Sequence, residues 1–170
     1  MKILVFSDSH GQTRLMEKAI REHLKHGSLE RVFFLGDGIH DIHAMELKFP
    51  SVSFDIVSGN CDGVIVSGMI EGDAPFEKSV TVGAIRFLLM HGHKYNIKTT
   101  IQTAADHAIA RKADILLYGH THVREDLTID GSNGGHVRLI NPGSVGAPYG
   151  ASFACLEIVG DDVVCGFGGA

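Results

Sequence analysis

Five stretches of the chain place side chains able to bind a cation or move a proton immediately after an apolar run. They are Phe6-Ser7-Asp8-Ser9-His10, Leu35-Gly36-Asp37, Val57-Ser58-Gly59-Asn60-Cys61-Asp62, Met90-His91-Gly92-His93 and Tyr118-Gly119-His120-Thr121-His122. The groups on offer are imidazole nitrogens, carboxylate oxygens and an amide oxygen, which suit first-row divalent ions; no thiolate set of the structural-zinc kind accompanies them. Asp8 and His10, like His120 and His122, stand two residues apart, so each pair shares one face of an extended segment. A single histidine in a polar turn is usually just hydrogen-bonded, and Gly-Asp after a strand is an ordinary turn. The signal lies in five such turns together. His40 and Asp41 follow Asp37 closely enough to orient ligands from behind, whereas His23, His26, His43, His107 and His136 lack such company and read as structural.

For these turns to meet, the apolar runs must be neighbouring strands that deliver their C-terminal ends to one sheet edge, where ligands bind in α/β folds. Lys2–Phe6, Arg31–Leu35 and Val52–Val57 read as buried strands. Between them, Thr13–His26 carries apolar residues at helical spacing with Gly27 as its stop, and His40–Lys48 reads as a short helix before Pro50. This alternation favours parallel pairing. Lys78–Val82 and Ala84–Met90 flank Gly83 as a hairpin. Thr99–Lys112 reads as a helix opened by a Thr99-x-x-Gln102 capping box, followed by a buried strand over Asp114–Tyr118. The remainder alternates strands with glycine-rich turns at Val123–Ile129, His136–Ile140, Phe153–Val159 and Val163–Phe167. With no repeat and no composition break, the expectation is one α/β domain, residues 1–170, with two sheets, the second the more antiparallel.

Composition removes several classes of function. The chain has 170 residues, 15 basic and 20 acidic, for a net charge of −5, and its mean hydropathy is +0.12. That is globular rather than disordered, and without a polybasic run it argues against strong nucleic-acid binding. Residues 139–156 carry no charge but include Asn141, Pro142, Gly143, Pro148 and Gly150, which break a membrane helix. The apolar run after Lys2 is too short for a signal peptide. Cys61, Cys155 and Cys165 are odd in number and widely spaced, which suits a reducing, cytoplasmic setting.

The order Asp8-x-His10, Gly36-Asp37, Gly59-Asn60-Cys61-Asp62, His91 and Gly119-His120-x-His122 resembles the calcineurin-like metallophosphoesterases. The Gly-Asn-Cys-Asp variant, the His91-Gly-His93 turn and Asn141-Pro-Gly-Ser144 look closest to that family's small bacterial and archaeal phosphodiesterases. The resemblance implies a two-sheet metallophosphoesterase sandwich flanked by helices, mixed parallel and antiparallel. It implies two divalent ions, manganese first, with iron, nickel or zinc also compatible with nitrogen and oxygen ligands. Asp8, His10, Asp37 and His122 would hold one ion, and Asp37, Asn60, His91 and His120 the other. A bridging Asp37 sets the ions about 3.5–4 Å apart, the spacing at which two-metal hydrolases activate a bridging water to attack phosphorus. The implied substrate is a small phosphodiester, ahead of a monoester. Homo-oligomers are compatible with this reading.

Cys61 departs from the family, which usually carries a histidine there to protonate the leaving group; a thiol, with a reference pKa of about 8.5, is the poorer donor. Cys61 as a small buried filler is the competing expectation. A cysteine-phosphatase nucleophile is excluded, because no arginine follows within residues 62–67. His93 is the alternative proton donor or substrate contact, so Asn60, Cys61, His91 and His93 are the catalytic candidates. The rival from another class is an interaction scaffold, since a retromer subunit resembles the same fold; the ligand set, filled at all seven positions, favours an enzyme.

Overall fold

After Lys2, the Ile3–Phe6 run is apolar at consecutive positions because both of its faces are buried. In the computed structural model, which describes residues 1–27, 29–63 and 74–170, it forms strand β1 (Lys2–Phe6). Ile3 and Val5 enter one apolar cluster, and Leu4 and Phe6 another, as the two-residue period of a strand demands. The chain continues through α1 (Arg14–Lys25), β2 (Leu29–Phe34), α2 (Ile39–Lys48), β3 (Ser53–Ile56), β4 (Glu77–Val82) and β5 (Ile85–Met90). A 3-10 turn, His93–Tyr95, precedes α3 (Gln102–Ala110), β6 (Ile115–Tyr118), β7 (Arg124–Asp130), β8 (His136–Pro142), β9 (Ser152–Val159) and β10 (Asp162–Gly169).

The strands make two five-stranded sheets, ordered β10-β9-β1-β2-β3 and β4-β5-β6-β8-β7. Ile3, Val5 and Phe33 of the first sheet pack against Phe87, Leu89 and Leu117 of the second, giving a core between the sheets. Behind the first sheet, Leu4, Phe6 and Phe34 meet Met16 and Ile20 of α1 and Ile42 and Met45 of α2. Behind the second, Leu88, Met90 and Leu116 meet Ala104, Ala105 and Ala108 of α3. The result is the expected α/β sandwich, helices outside and sheets inside. No helix among the described residues is long and apolar enough to cross a membrane.

Register aligns the strand ends. Phe6 pairs with Phe34, Phe34 with Ile56, and Met90 with Tyr118, all in parallel. The five chemistry-bearing turns therefore leave the sheets at one edge.

Two expectations need correction. The second sheet is not the more antiparallel one: each sheet combines two parallel and two antiparallel pairings. The cause is β9, which returns to pair with β1, Leu4 opposite Cys155, rather than extending the second sheet. Nor does the Thr99 capping box form. The Thr99 hydroxyl donates to the Asn96 side chain at 3.3 Å, and α3 begins at Gln102 with Ile101 at its N-cap. The stop at Gly27 is present, with φ +68° and its N–H donating to the Leu24 carbonyl.

Candidate metal centre

Asp8, His10, Asp37, His120 and His122 all have positive φ, between 46° and 67°, and only Asn96 and Lys112 share that feature among the described non-glycine residues. Aspartate and histidine enter the left-handed region more readily than most residues, yet each such residue still costs on the order of 1 kcal/mol or more. Five strained backbones in three turns turn their side chains toward a common point.

At that point the carboxylates of Asp8 and Asp37 are 0% and 3% exposed. Asp8 Oδ1 lies 3.0 Å from His122 Nε2, 3.9 Å from His10 Nε2 and 3.9 Å from His91 Nε2. His91 Nε2 is also 3.4 Å from Asp37 Oδ2 and 3.2 Å from the Asn60 amide oxygen. His91 Nδ1–H donates to the Leu35 carbonyl at 2.7 Å, which aims Nε2 into the centre as a backbone acceptor does for a metal-binding histidine. Three groups among the described residues have ligand atoms mutually within 4.8 Å and could hold a cation: Asp8, His10 and His122; Asp8, Asp37 and His91; and His10, Asp37 and Cys61. His120 stands beside them, its ring 5.0 Å from that of His91 and its backbone N–H donating to Asp8 Oδ2 at 3.1 Å, but its ring nitrogens join none of these groups.

The electrostatics follow from these contacts. Burial alone would raise the Asp37 pKa, but its contact with His91 and the Cys61 N–H outweigh burial and hold it well below the ordinary carboxylate value. Burial opposes charge on His91, yet Asp37 and Asp8 overcome it and raise its pKa. His120 is pushed down to about 4, by burial first and then by His91. A neutral imidazole keeps the lone pair that a cation needs. Two buried carboxylates ringed by imidazoles fit divalent ions, whose charge would offset the burial of both acids.

Cys61 is exposed, which corrects the expectation of a buried filler: Asn60-Cys61 sits at the outer tip of its turn. Its Sγ lies within 4.8 Å of ligand atoms of His10 and Asp37. Desolvation in the crowded turn, then the carboxylates of Asp37, Asp62 and Asp8, raise the thiol to about 11. His93 lies one ring from His91, 5.5 Å between centroids, and its buried Nδ1 has no hydrogen-bond partner among the described residues.

The positioning residues are partly new. Asp62 accepts four backbone N–H bonds: from Asp37 and Gly59 on Oδ2, both 2.7 Å, and from Gly38 and Ile39 on Oδ1, 2.7 and 3.0 Å. It thereby ties the Asp37 turn to the Asn60 turn. Gly59 allows the approach, since a Cβ there would lie 2.0 Å from Asp37 Oδ1. Asp41 takes the Ser9 hydroxyl at 2.6 Å and the Gly11 N–H at 2.8 Å, bracing the turn that carries His10. Buried Asn141 donates to the Gly119 carbonyl and to Thr121 Oγ1, both at 3.0 Å, and the Ser144 hydroxyl donates to the Asp8 carbonyl at 2.8 Å.

Comparison with known proteins agrees with this geometry. A probable metallophosphoesterase of Bacillus subtilis, YsnB, is 28% identical over 165 residues, covering 95% of this chain and 86% of its own. The crystal structure of a predicted phosphoesterase from Streptococcus pneumoniae superposes with a TM-score of 0.74 at 26% identity, over 98% of this chain and 87% of that one. A Vps29 variant from Entamoeba histolytica shares the fold, with a TM-score of 0.70 at 23% identity, over 100% and 99% of the two chains. Residues 1–161 match the calcineurin-like phosphoesterase superfamily domain, and the chain belongs to that superfamily of metal-dependent phosphoesterases.

Proposed function

We propose that this protein, one domain over residues 1–170, is a metal-dependent phosphodiesterase using two divalent cations, manganese first among them. The observation that carries the reading is the strain: five of the seven residues proposed as ligands sit in the left-handed region. A fold shared with other proteins does not require that strain, whereas a ligand set does. Asp8, His10, Asp37 and His122 would hold one ion, and Asp37, Asn60, His91 and His120 the other. When bound, the ions supply positive charge that polarises the phosphoryl group and makes water acidic enough to attack phosphorus.

The chain's own residues do the rest. Asp8 gathers the histidine Nε2 atoms on one oxygen. Leu35, through its carbonyl, fixes the His91 ring. Asp62 and Asp41 hold the turns in place, so that little reorganisation remains when charge develops on phosphorus. His93 and Cys61 flank the centre and are the groups proposed to contact the leaving oxygen. A diester is favoured because its single charge leaves the attacking water in place, where a dianionic monoester competes for the same cationic ground.

The test is metal analysis of protein purified without added metal, then hydrolysis of bis(p-nitrophenyl) phosphate and p-nitrophenyl phosphate after restoring each metal. Metal-dependent cleavage of the diester is expected. Protein that binds no metal and cleaves neither ester would leave only a scaffold role.

A further inference from the structure

Beside the turn carrying Asp8 and His10 lies a second feature, a cavity of about 550 Å³ lined by Gln12, Arg14, Leu15, Lys18, the 145–148 loop and Ala170. That volume suits a small-molecule arm. The loop lies directly on the site: Val145 N–H donates to the Ser7 carbonyl at 3.0 Å and Gly146 N–H to the Asp8 carbonyl at 3.1 Å. A Cβ at Gly146 would lie 2.0 Å from the Ser9 carbonyl oxygen, so the cavity wall and the Asp8–His10 turn are in backbone contact. Gln12 is two residues from His10, at most about 7 Å of extended chain.

The cavity is also basic. Among the described residues that line it, Arg14 and Lys18 are the ones with charged side chains. Arg14 and Lys18 stand at i and i+4 on α1, where like charges repel. Of the acids on the helix, Glu17 binds Arg21 and Lys48, both at 2.7 Å, and Glu22, one turn beyond Lys18, makes no ion pair with it among the described residues. Among the described residues neither Arg14 nor Lys18 has an ion-pair partner. An unpaired cation pair facing a cavity, on a chain of net charge −5, is placed for an anion.

We propose that this cavity binds a second phosphate of the substrate, so that the natural substrate is a phosphodiester carrying a terminal phosphate beyond the ester that is cut. The inference rests on the phosphodiesterase reading above. Its test compares the dinucleotides pApA and ApA, identical but for the 5′-phosphate, with bis(p-nitrophenyl) phosphate as the reference, all on manganese-loaded enzyme. The expected result is a kcat/KM for pApA at least tenfold above that for ApA, expressed mainly in KM. The double variant Arg14→Gln, Lys18→Gln should reduce that preference to within twofold, while hydrolysis of bis(p-nitrophenyl) phosphate stays unchanged. A control variant with the same charge loss elsewhere, Lys2→Gln with Lys112→Gln, should keep the preference. Equal rates on the two dinucleotides, or a preference that survives the Arg14 and Lys18 substitutions, would overturn the proposal while leaving the phosphodiesterase intact. Wild-type enzyme inactive on all three esters would refute the phosphodiesterase reading and this inference with it.

Discussion

Asp62→Asn is the substitution whose effect follows most directly from the geometry. The native carboxylate takes two N–H groups on each oxygen. An amide keeps one oxygen for two of them and sets its own N–H bonds against the other two. Bonds to a charged group contribute about 1.5–3 kcal/mol each; two losses at the lower figure, appropriate for this half-buried group, come to about 3 kcal/mol. For a chain of this length, each kcal/mol moves the midpoint by roughly 2–4 °C, so thermal unfolding of the metal-free protein should fall by about 6–12 °C. Because the bonds lost hold the Asp37 turn against the Asn60 turn, divalent-metal affinity should drop about 10–100-fold, as when an outer partner of a metal site is removed. Calorimetric unfolding and a metal titration read the two effects separately. A midpoint lowered by less than about 2 °C, with metal affinity intact, would show that Asp62 does not hold the site together.

Diesters should outrun monoesters at neutral pH in kcat/KM on paired nitrophenyl substrates; a tenfold preference for the monoester would make the enzyme a phosphatase. Cys61 is a weak proton donor, so aryl diesters should be cleaved much faster than alkyl ones, and Cys61→His should raise the alkyl rate by some part of the ~10²–10⁴ that proton delivery commonly contributes. Cys61→Ala should cost little on aryl esters; loss of both activities with metals still bound would give the thiol a direct chemical role. Away from the centre, burial alone would raise the Glu77 carboxyl, but bonds from Tyr95 and Arg111 and the adjacent His107 outweigh it and hold it below its ordinary 4.5. A depressed acid contributes stability that is present above its unfolded pKa and lost as pH falls through the folded one. Acid unfolding followed below pH 4.5 should therefore be less steep in Glu77→Gln, and an unchanged profile would remove Glu77 from the acid transition.

The strands were readable where both faces are buried. Runs such as Ile3–Phe6 and Ile115–Tyr118 have no charged position to confuse their period, and each ends abruptly in a turn of metal-binding residues. The role of Asp62 was not readable in the same way, because its partners are backbone N–H groups and leave no mark on side-chain pattern. A hint was present in the carboxylate that closes the Asn60 turn, available to the unpaired N–H groups where α2 begins at Gly38-Ile39. The place of β9 depends on a pairing more than 150 residues apart in sequence, Ile3 with Leu156, which local periodicity does not encode. Thr99 shows the opposite failure: the local motif was present, but the Asn96 side chain took its hydroxyl. The left-handed turns were not foreseen: Asp8 with His10 and His120 with His122 were expected on extended segments, but all four have positive φ, a conformation Asp and His tolerate better than branched or bulky residues.

The central claim is that Asp37 bridges two ions, and metal content per chain tests it most directly. Mass-spectrometric analysis of manganese-loaded, desalted protein should find two ions per wild-type chain, and one or none in Asp37→Asn, whose amide offers a single neutral oxygen where a carboxylate offered two. Wild-type protein holding one ion or none, or Asp37→Asn holding two with undiminished turnover, would contradict the two-metal account.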